Sequence, residues 1–286
     1  MLGNSCFSIN CRGRLVTTER PLVMGILNVT PDSFYDGGRY FDEKDLIKRR
    51  ADQIVGEGAD IIDLGAYSTR PGADYVSPEE EWRRISNALE IIRHDYPDAI
   101  ISIDTFRGSV ARRSVTEYGA DIINDISAYQ MDDDMFHAVV DLNVPYVLTH
   151  IQGNPQTMQL DPKYKSRVTD DVVKELSQKV NELTVHGVSD IIVDPGFGFG
   201  KTVDDNYQMM QDLAQFKTLG HPILVGISRK SMIYKATGGT PETSLAGTCA
   251  LNAVALLNGA DILRVHDVRE CVEVVKVVSK LQENKR

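Results

Sequence analysis

The stretch GADIIDLG at residues 58–65 decides the fold, because it returns in outline three times. GADIIND covers residues 119–125, VSDIIVD covers 188–194 and GADILRV covers 259–265. Each time a glycine or small residue ends a helical stretch, an aspartate follows, and a short apolar run begins. Asp60, Asp121, Asp190 and Asp261 are spaced by 61, 69 and 71 residues, about two strand–helix units each. Outward from these marks the chain offers eight candidate strands, at 22–29, 60–65, 100–104, 121–126, 145–150, 190–194, 222–228 and 261–266. Apolar runs bounded by turn residues suit strands covered on both faces, and helical patterns between them suit βαβ units. The repeat falls on strands two, four, six and eight. We therefore read a single-domain α/β chain, a (β/α)8 TIM barrel, in preference to an open doubly wound sheet.

Residues 1–20 are expected to form an N-terminal β-hairpin around Arg12-Gly13 that closes the bottom of the barrel. The barrel then spans 21–280, and 281–286 is a polar tail. Ser77, Pro78 and Glu80 predict a helix start with a capping box. Glu79 with Arg83 and Glu80 with Arg84 are spaced as i,i+4 ion pairs.

Composition narrows the function. Hydrophobic residues make up 42% and charged residues 25% of the 286, which excludes disorder and fibrous repeats. The net charge of −10 argues against nucleic acid as a partner, since phosphate backbones are held by clustered Lys and Arg. No apolar run reaches 18 residues and the first ten show no secretion signal, so we expect a cytoplasmic protein with no membrane partner. Cys6, Cys11, Cys249 and Cys271 form no CxxC pair and no zinc spacing, and are expected as free thiols.

In a barrel the chemistry sits at the C-terminal ends of the strands. Those ends read Asn28, Tyr67–Gly72, Asp104, Asn124, His150, Asp194, Ser228-Arg229-Lys230 and Arg264-Val265-His266. A scaffold alone has no need of a polar group at nearly every strand end. Arg264 and His266 share a strand face, and Lys230 adds a cation, which suits a phosphate or diphosphate. The alternative for Arg264 is a salt bridge across the barrel mouth. Asp104, Asn124 and Asp194 offer acceptors and an amide for a flat heterocycle carrying an amino group and a ring N–H. The loops 28–38 and 67–72, rich in Gly and Pro, have the character of lids. Residues 194–202 (DPGFGFGKT) imitate a P-loop, but Pro195 occupies the place of its first glycine. A turn that places Phe197 and Phe199 as an apolar wall beside a ring fits better.

Taken together, MGILNVTPDSFYDGG (24–38), DLGAYSTRPGA (63–73), SIDT (102–105), INDIS (123–127), DPGFGFGK (194–201), VGISRKS (225–231) and LRVHD (263–267) resemble the bacterial dihydropteroate synthases, in family order. The resemblance implies a (β/α)8 barrel that condenses dihydropterin-CH2-diphosphate with p-aminobenzoate, releasing dihydropteroate and diphosphate. It implies Asp104, Asn124, Asp194 and Lys230 as pterin contacts, and Thr69, Arg264 and His266 as diphosphate contacts. It implies Asn28 as a ligand of a Mg2+ cofactor. Phe34, Thr69, Pro71, Phe199, Lys230 and Ser231 resemble the p-aminobenzoate site, with Asp36 and Arg70 in the same two loops. Asp104, Lys230, Arg264 and His266 are the expected catalytic groups, in an SN1-like cleavage with ordered binding. A homodimer through helices near the C-terminus is implied too. Thr149 departs from the family, which often has Met before this His. The STRPG stretch is kept, so sulfonamide sensitivity is expected.

Three rival readings are a pterin-dependent methyltransferase barrel, a non-catalytic pterin-binding module, and an aldolase using Lys230 as a Schiff base with Arg229 lowering its pKa. The cations at the strand ends favour the synthase over the methyltransferase. Asn28 and the loop residues, which serve turnover more than binding, favour it over the module.

Overall fold

A computed structural model describes residues 7–30, 43–67, 75–153, 158 and 162–283. Strands β1 (Phe7–Cys11) and β2 (Arg14–Thr18) pair antiparallel through the Arg12-Gly13 turn, as expected. The barrel strands are β3 (Leu22–Asn28), β4 (Ile61–Gly65), β5 (Ile100–Asp104), β6 (Ile122–Asp125), β7 (Tyr146–Thr149), β8 (Ile191–Asp194), β9 (Leu224–Val225) and β10 (Ile262–Val265). They run parallel in the order β8-β7-β6-β5-β4-β3-β10-β9. The ring closes between β8 and β9 at one parallel bridge, Val193 with Ile223, where Val193 N donates to Pro222 O at 2.8 Å. The seventh run is much shorter as a strand than expected. It leaves the ladder after Val225 and turns through Arg229, whose φ is 58°.

Around the ring stand α1 (Glu43–Gly56), α2 (Pro78–Asp95), α3 (Gly108–Tyr118), α4 (Asp133–Leu142), α5 (Val168–Val185), α6 (Val203–Gln211), α7 (Ser231–Thr237), α8 (Leu245–Leu257) and α9 (Val268–Glu283), with a 3-10 turn at Leu213–Leu219. Strand alternation divides the core in two. Val23, Ile62, Ile101 and Ile123 face the helices, while Met24, Ile61 and Ile122 fill the barrel's lower interior. Ile9 and Cys11 of the hairpin join that interior cluster, so the hairpin plugs the bottom of the barrel. Among the described residues no helix is long and apolar enough to cross a membrane. Cys11, Cys249 and Cys271 are free.

The capping expectation at α2 holds in part. Ser77 accepts from Glu80 N at 3.2 Å, but the Glu80 carboxylate turns to Arg83 and Arg84 instead of closing the box. Arg83 therefore pairs with Glu80, and not with Glu79 as the spacing suggests. Among the described residues a complete capping box stands at α6, between Thr202 and Asp205.

The repeated aspartate has a physical cause. Three of the four accept a buried N–H near the start of the neighbouring strand: Val23 N to Asp60 (2.9 Å), Ile101 N to Asp121 (2.9 Å) and Ile223 N to Asp261 (2.7 Å). Asp190 takes Asn10 N of the hairpin plug at 2.9 Å. A cation balances each of the first three: Arg20 on Asp60, Arg93 and Arg12 on Asp121, Lys217 on Asp261. The pattern thus fixes strand register and plug position from below. Asp121 is fully buried between its two arginines. Replacing it by Ala leaves the largely buried Arg93 and the buried Ile101 N–H uncompensated, with the more exposed Arg12 adding little, so Asp121→Ala is expected to lower the urea-unfolding free energy by about 3 kcal/mol. Asp190→Ala, which loses one hydrogen bond at the surface, should cost about 1 kcal/mol. Equal small losses would contradict this account of the repeat.

Candidate active site

The even-numbered barrel strands deliver one polar side chain each to the centre: Asp63 on β4, Asn124 on β6, Asp194 on β8 and Arg264 on β10. Asp63 is completely buried. It accepts from Arg264 Nε at 2.6 Å, and Asn124 Nδ2 donates to both its oxygens at 3.2 Å. Arg264 reaches Asp104 on β5 with Nη2. The salt bridge across the barrel mouth, set against phosphate binding in the sequence, is therefore present. Nη1 of Arg264 makes no hydrogen bond among the described residues and remains open to a ligand.

Lys230 precedes α7 and Ser231 begins it. Lys230 Nζ donates to Phe197 O at 2.5 Å and lies 4.4 Å from the centre of the Phe199 ring. Phe199 thus forms a wall at the lysine. Phe197 does not: its ring is fully buried in the core between strands and helices, because the turn points it outward. His266 Nδ1 lies 3.1 Å from Ser228 Oγ. Arg229 turns away to grip Asp267 through Nε and Nη2 at 3.0 and 2.6 Å. Asn28 ends β3, half-buried. A Cβ at Gly65 would lie 3.3 Å from Asn28 Oδ1 and 3.4 Å from Asp104 Oδ2, so these two oxygens share the space that the glycine leaves. Phe34, Asp36, Thr69, Arg70 and Pro71 lie outside the described residues.

The electrostatics follow first from burial and then from the charges nearby. Asp63, Asp104 and Asp194 face Arg264 and Lys230, three carboxylates against two cations. Burial pushes Asp104 up to about 7, against the pull of Arg264 and with the help of Asp63. Burial raises Asp194 as well, opposed by Lys230. Burial lowers Lys230 to about 8; Asp194 opposes this and Arg264 reinforces it. Arg264 rather than Arg229 is thus the cation acting on Lys230, because Arg229 is engaged with Asp267. Burial, then Arg264, lowers His266 to about 3, so its ring is neutral at pH 7.

Two residues escaped the sequence reading. Asp63 is one. Its signal was present: it stands third after the repeated aspartate, as Asn124 and Arg264 do. Lys201 is the other, 3% exposed. Its Nζ donates to Gly196 O (2.9 Å) and Phe199 O (3.0 Å) and lies 2.9 Å from His150 Nδ1. His150 Nε2 in turn lies 3.0 Å from Glu175. Lys201 thereby pins the turn that carries Asp194 and Phe199. Gly196 is required in that turn. Its φ is 71°, and a Cβ would fall 1.8 Å from His150 O.

Comparison with known proteins places this geometry. A family described as "Pterin binding enzyme" matches residues 24–266. The dihydropteroate synthase of Escherichia coli K12 is 42% identical over 284 residues, covering 96% of this chain and 98% of its own. The Yersinia pestis dihydropteroate synthase, solved in a sulfonamide drug complex, superposes with a TM-score of 0.89 at 36% identity, over 97% of this chain and 100% of that one. The Xanthomonas albilineans enzyme in complex with 7,8-dihydropteroate gives a TM-score of 0.85 at 36% identity, over 96% and 98%.

Lys201 makes a pH-dependent contribution to stability. Burial lowers it from 10.5 to about 7, so the folded protein holds this proton less tightly than the unfolded chain. Its contribution is full above 10.5 and is lost as pH falls through 7. Wild type is therefore expected to gain urea resistance relative to Lys201→Met between pH 7 and 9. A constant difference over that range would contradict the assignment.

Proposed function

The chain belongs to the dihydropteroate synthase family of pterin-binding enzymes, and from that premise we propose that it condenses (7,8-dihydropterin-6-yl)methyl diphosphate with p-aminobenzoate. The products are 7,8-dihydropteroate and diphosphate. The observation that carries the reading is the convergence of Asp104, Asn124, Asp194, Lys230 and Arg264 on one polar centre. Asn124, Asp194 and Lys230 supply an amide, a carboxylate and an ammonium for the edges of a pterin. Arg264 Nη1 and the neutral His266 supply donors for the diphosphate.

Breaking the C–O bond leaves positive charge on a methylene carbon that the pterin ring can share. The Asp104 carboxylate is assigned to stabilise that charge, an electrostatic role without a covalent intermediate. The arylamine nucleophile is already neutral at pH 7, so its main need is position. Phe199 and Ser231, with the loops of Phe34, Asp36, Thr69, Arg70 and Pro71, are assigned to its pocket.

The donor chemistry fits Mg2+. Asn28 Oδ1 shares the space over Gly65 with an Asp104 oxygen, and no group of three His, Cys, Asp or Glu arranged to hold a metal ion exists among the described residues. One amide oxygen suits an ion that keeps several waters and takes phosphate oxygens from its substrate. When bound, Mg2+ supplies positive charge to the departing diphosphate. A homodimer is supported by the exposed apolar side chains Val254 and Leu257 on α8 and Val277 and Leu281 on α9.

The direct test mixes purified protein with both substrates and Mg2+ and measures diphosphate and dihydropteroate together. Both products are expected, with turnover lost on chelation and competitive inhibition by a sulfonamide against p-aminobenzoate. Pterin binding without product would favour a binding module or a methyltransferase. The pH profile of kcat/KM reports the free enzyme. Asp104 must be ionised and Lys230 protonated, so activity should rise through about 7 and fall through about 8. Asp104→Asn should lose most activity and the acid limb with it. An acid limb retained in that variant would remove Asp104 from the role.

A further inference from the structure

Thr149 ends β7, is 1% exposed, and its hydroxyl has no hydrogen-bond partner among the described residues. Buried hydroxyls are nearly always paired, so one without a partner calls for an explanation. Strand alternation gives its direction. Val147 belongs to the barrel interior and Leu148 to the layer facing the helices, so Thr149 faces the interior. β7 lies between β6, which carries Asn124, and β8, which carries Asp194. Thr149 is the register partner of Asp194 itself. Ile192, two residues before Asp194, also lies in the interior, so both side chains point into the same space.

The hydroxyl thus stands beside the carboxylate assigned to the amino-bearing edge of the heterocycle. An exocyclic amino group has two N–H bonds. A carboxylate that takes the ring N–H and one of these leaves the second directed away from it, toward a neighbouring strand. We propose that Thr149 is a specificity-determining residue of this pocket, whose Oγ1 accepts the second N–H of the exocyclic amino group. This rests on the pterin reading above. It gives the chain a polar contact on β7 for 2-amino heterocycles, where an apolar side chain would give none.

The test compares wild type, Thr149→Val and Thr149→Ser by calorimetric titration with 6-hydroxymethylpterin and with its 2-deamino analogue, alongside thermal melting. Valine keeps the shape and removes the hydroxyl. Thr149→Val is expected to bind the pterin about tenfold more weakly, the effect of one lost hydrogen bond in a buried site. Its affinity for the deamino analogue should equal that of wild type. Thr149→Ser should stay close to wild type for both ligands. The Tm of Thr149→Val should be equal or higher, because the substitution removes an unpaired buried group. Equal pterin affinity in wild type and Thr149→Val would overturn the proposal. So would equal losses for both ligands, or a lowered Tm with wild-type affinity, which would make the hydroxyl structural. Wild type binding neither ligand would instead overturn the pterin reading, an outcome distinct from these.

Discussion

The Arg264 guanidinium, gripped by Asp63 and Asp104 in the middle of the barrel, is the interaction on which the site depends. A charge at this depth is tolerated only with partners in good geometry, and removing one partner leaves the others uncompensated. Asp63 meets that demand from one side while fixing the Asn124 amide with its two oxygens. The same contacts therefore hold the protein together and hold the recognition groups still. Asp104 is the partner at the open side, 18% exposed, where a ligand can exchange with the guanidinium.

The surrounding fold serves this centre. The plug of Ile9 and Cys11 keeps the lower interior apolar, so the charged layer has a dry floor. Asp60, Asp121 and Asp261 set strand register from below, and register decides which side chains meet higher in the barrel. A slip of one residue on β10 would turn Arg264 toward the helices and leave Asp63 without its cation. The Lys201 contacts perform the corresponding task above, fastening the turn between β8 and α6.

The architecture was legible in the sequence because it repeats: one aspartate at one place in every second strand is a pattern that chance seldom makes. The strand ends were legible because a scaffold alone has no need of a polar group at nearly every one, although two of them, Arg229 and His150, serve the scaffold after all. Other features were hidden for physical reasons. Asp63 lies inside an apolar run, and its importance comes from Arg264, 201 positions later. Lys201 sits in a stretch that imitates a phosphate loop, and only the folded turn shows the lysine bound to that turn's own carbonyls. The Glu80 carboxylate had two possible uses, and the arginines one turn on prevailed. The seventh strand is short because the chain turns early toward Lys230, a tertiary event that an apolar run does not record. The empty hydrogen-bonding capacity of Thr149 has no sequence signal, since it depends on what neighbouring strands fail to offer.

The central claim is that a buried carboxylate, Asp63, organises a recognition site from beneath it. The most direct measurement is the affinity of Asp63→Asn for 6-hydroxymethylpterin. This change keeps an acceptor for Arg264 Nε but turns an N–H2 group toward the Asn124 amide, which must then rotate. The account predicts binding weaker by at least tenfold in a protein that still folds. Wild-type affinity in folded Asp63→Asn would show that Asn124 and Arg264 hold their positions without it, and would contradict the account.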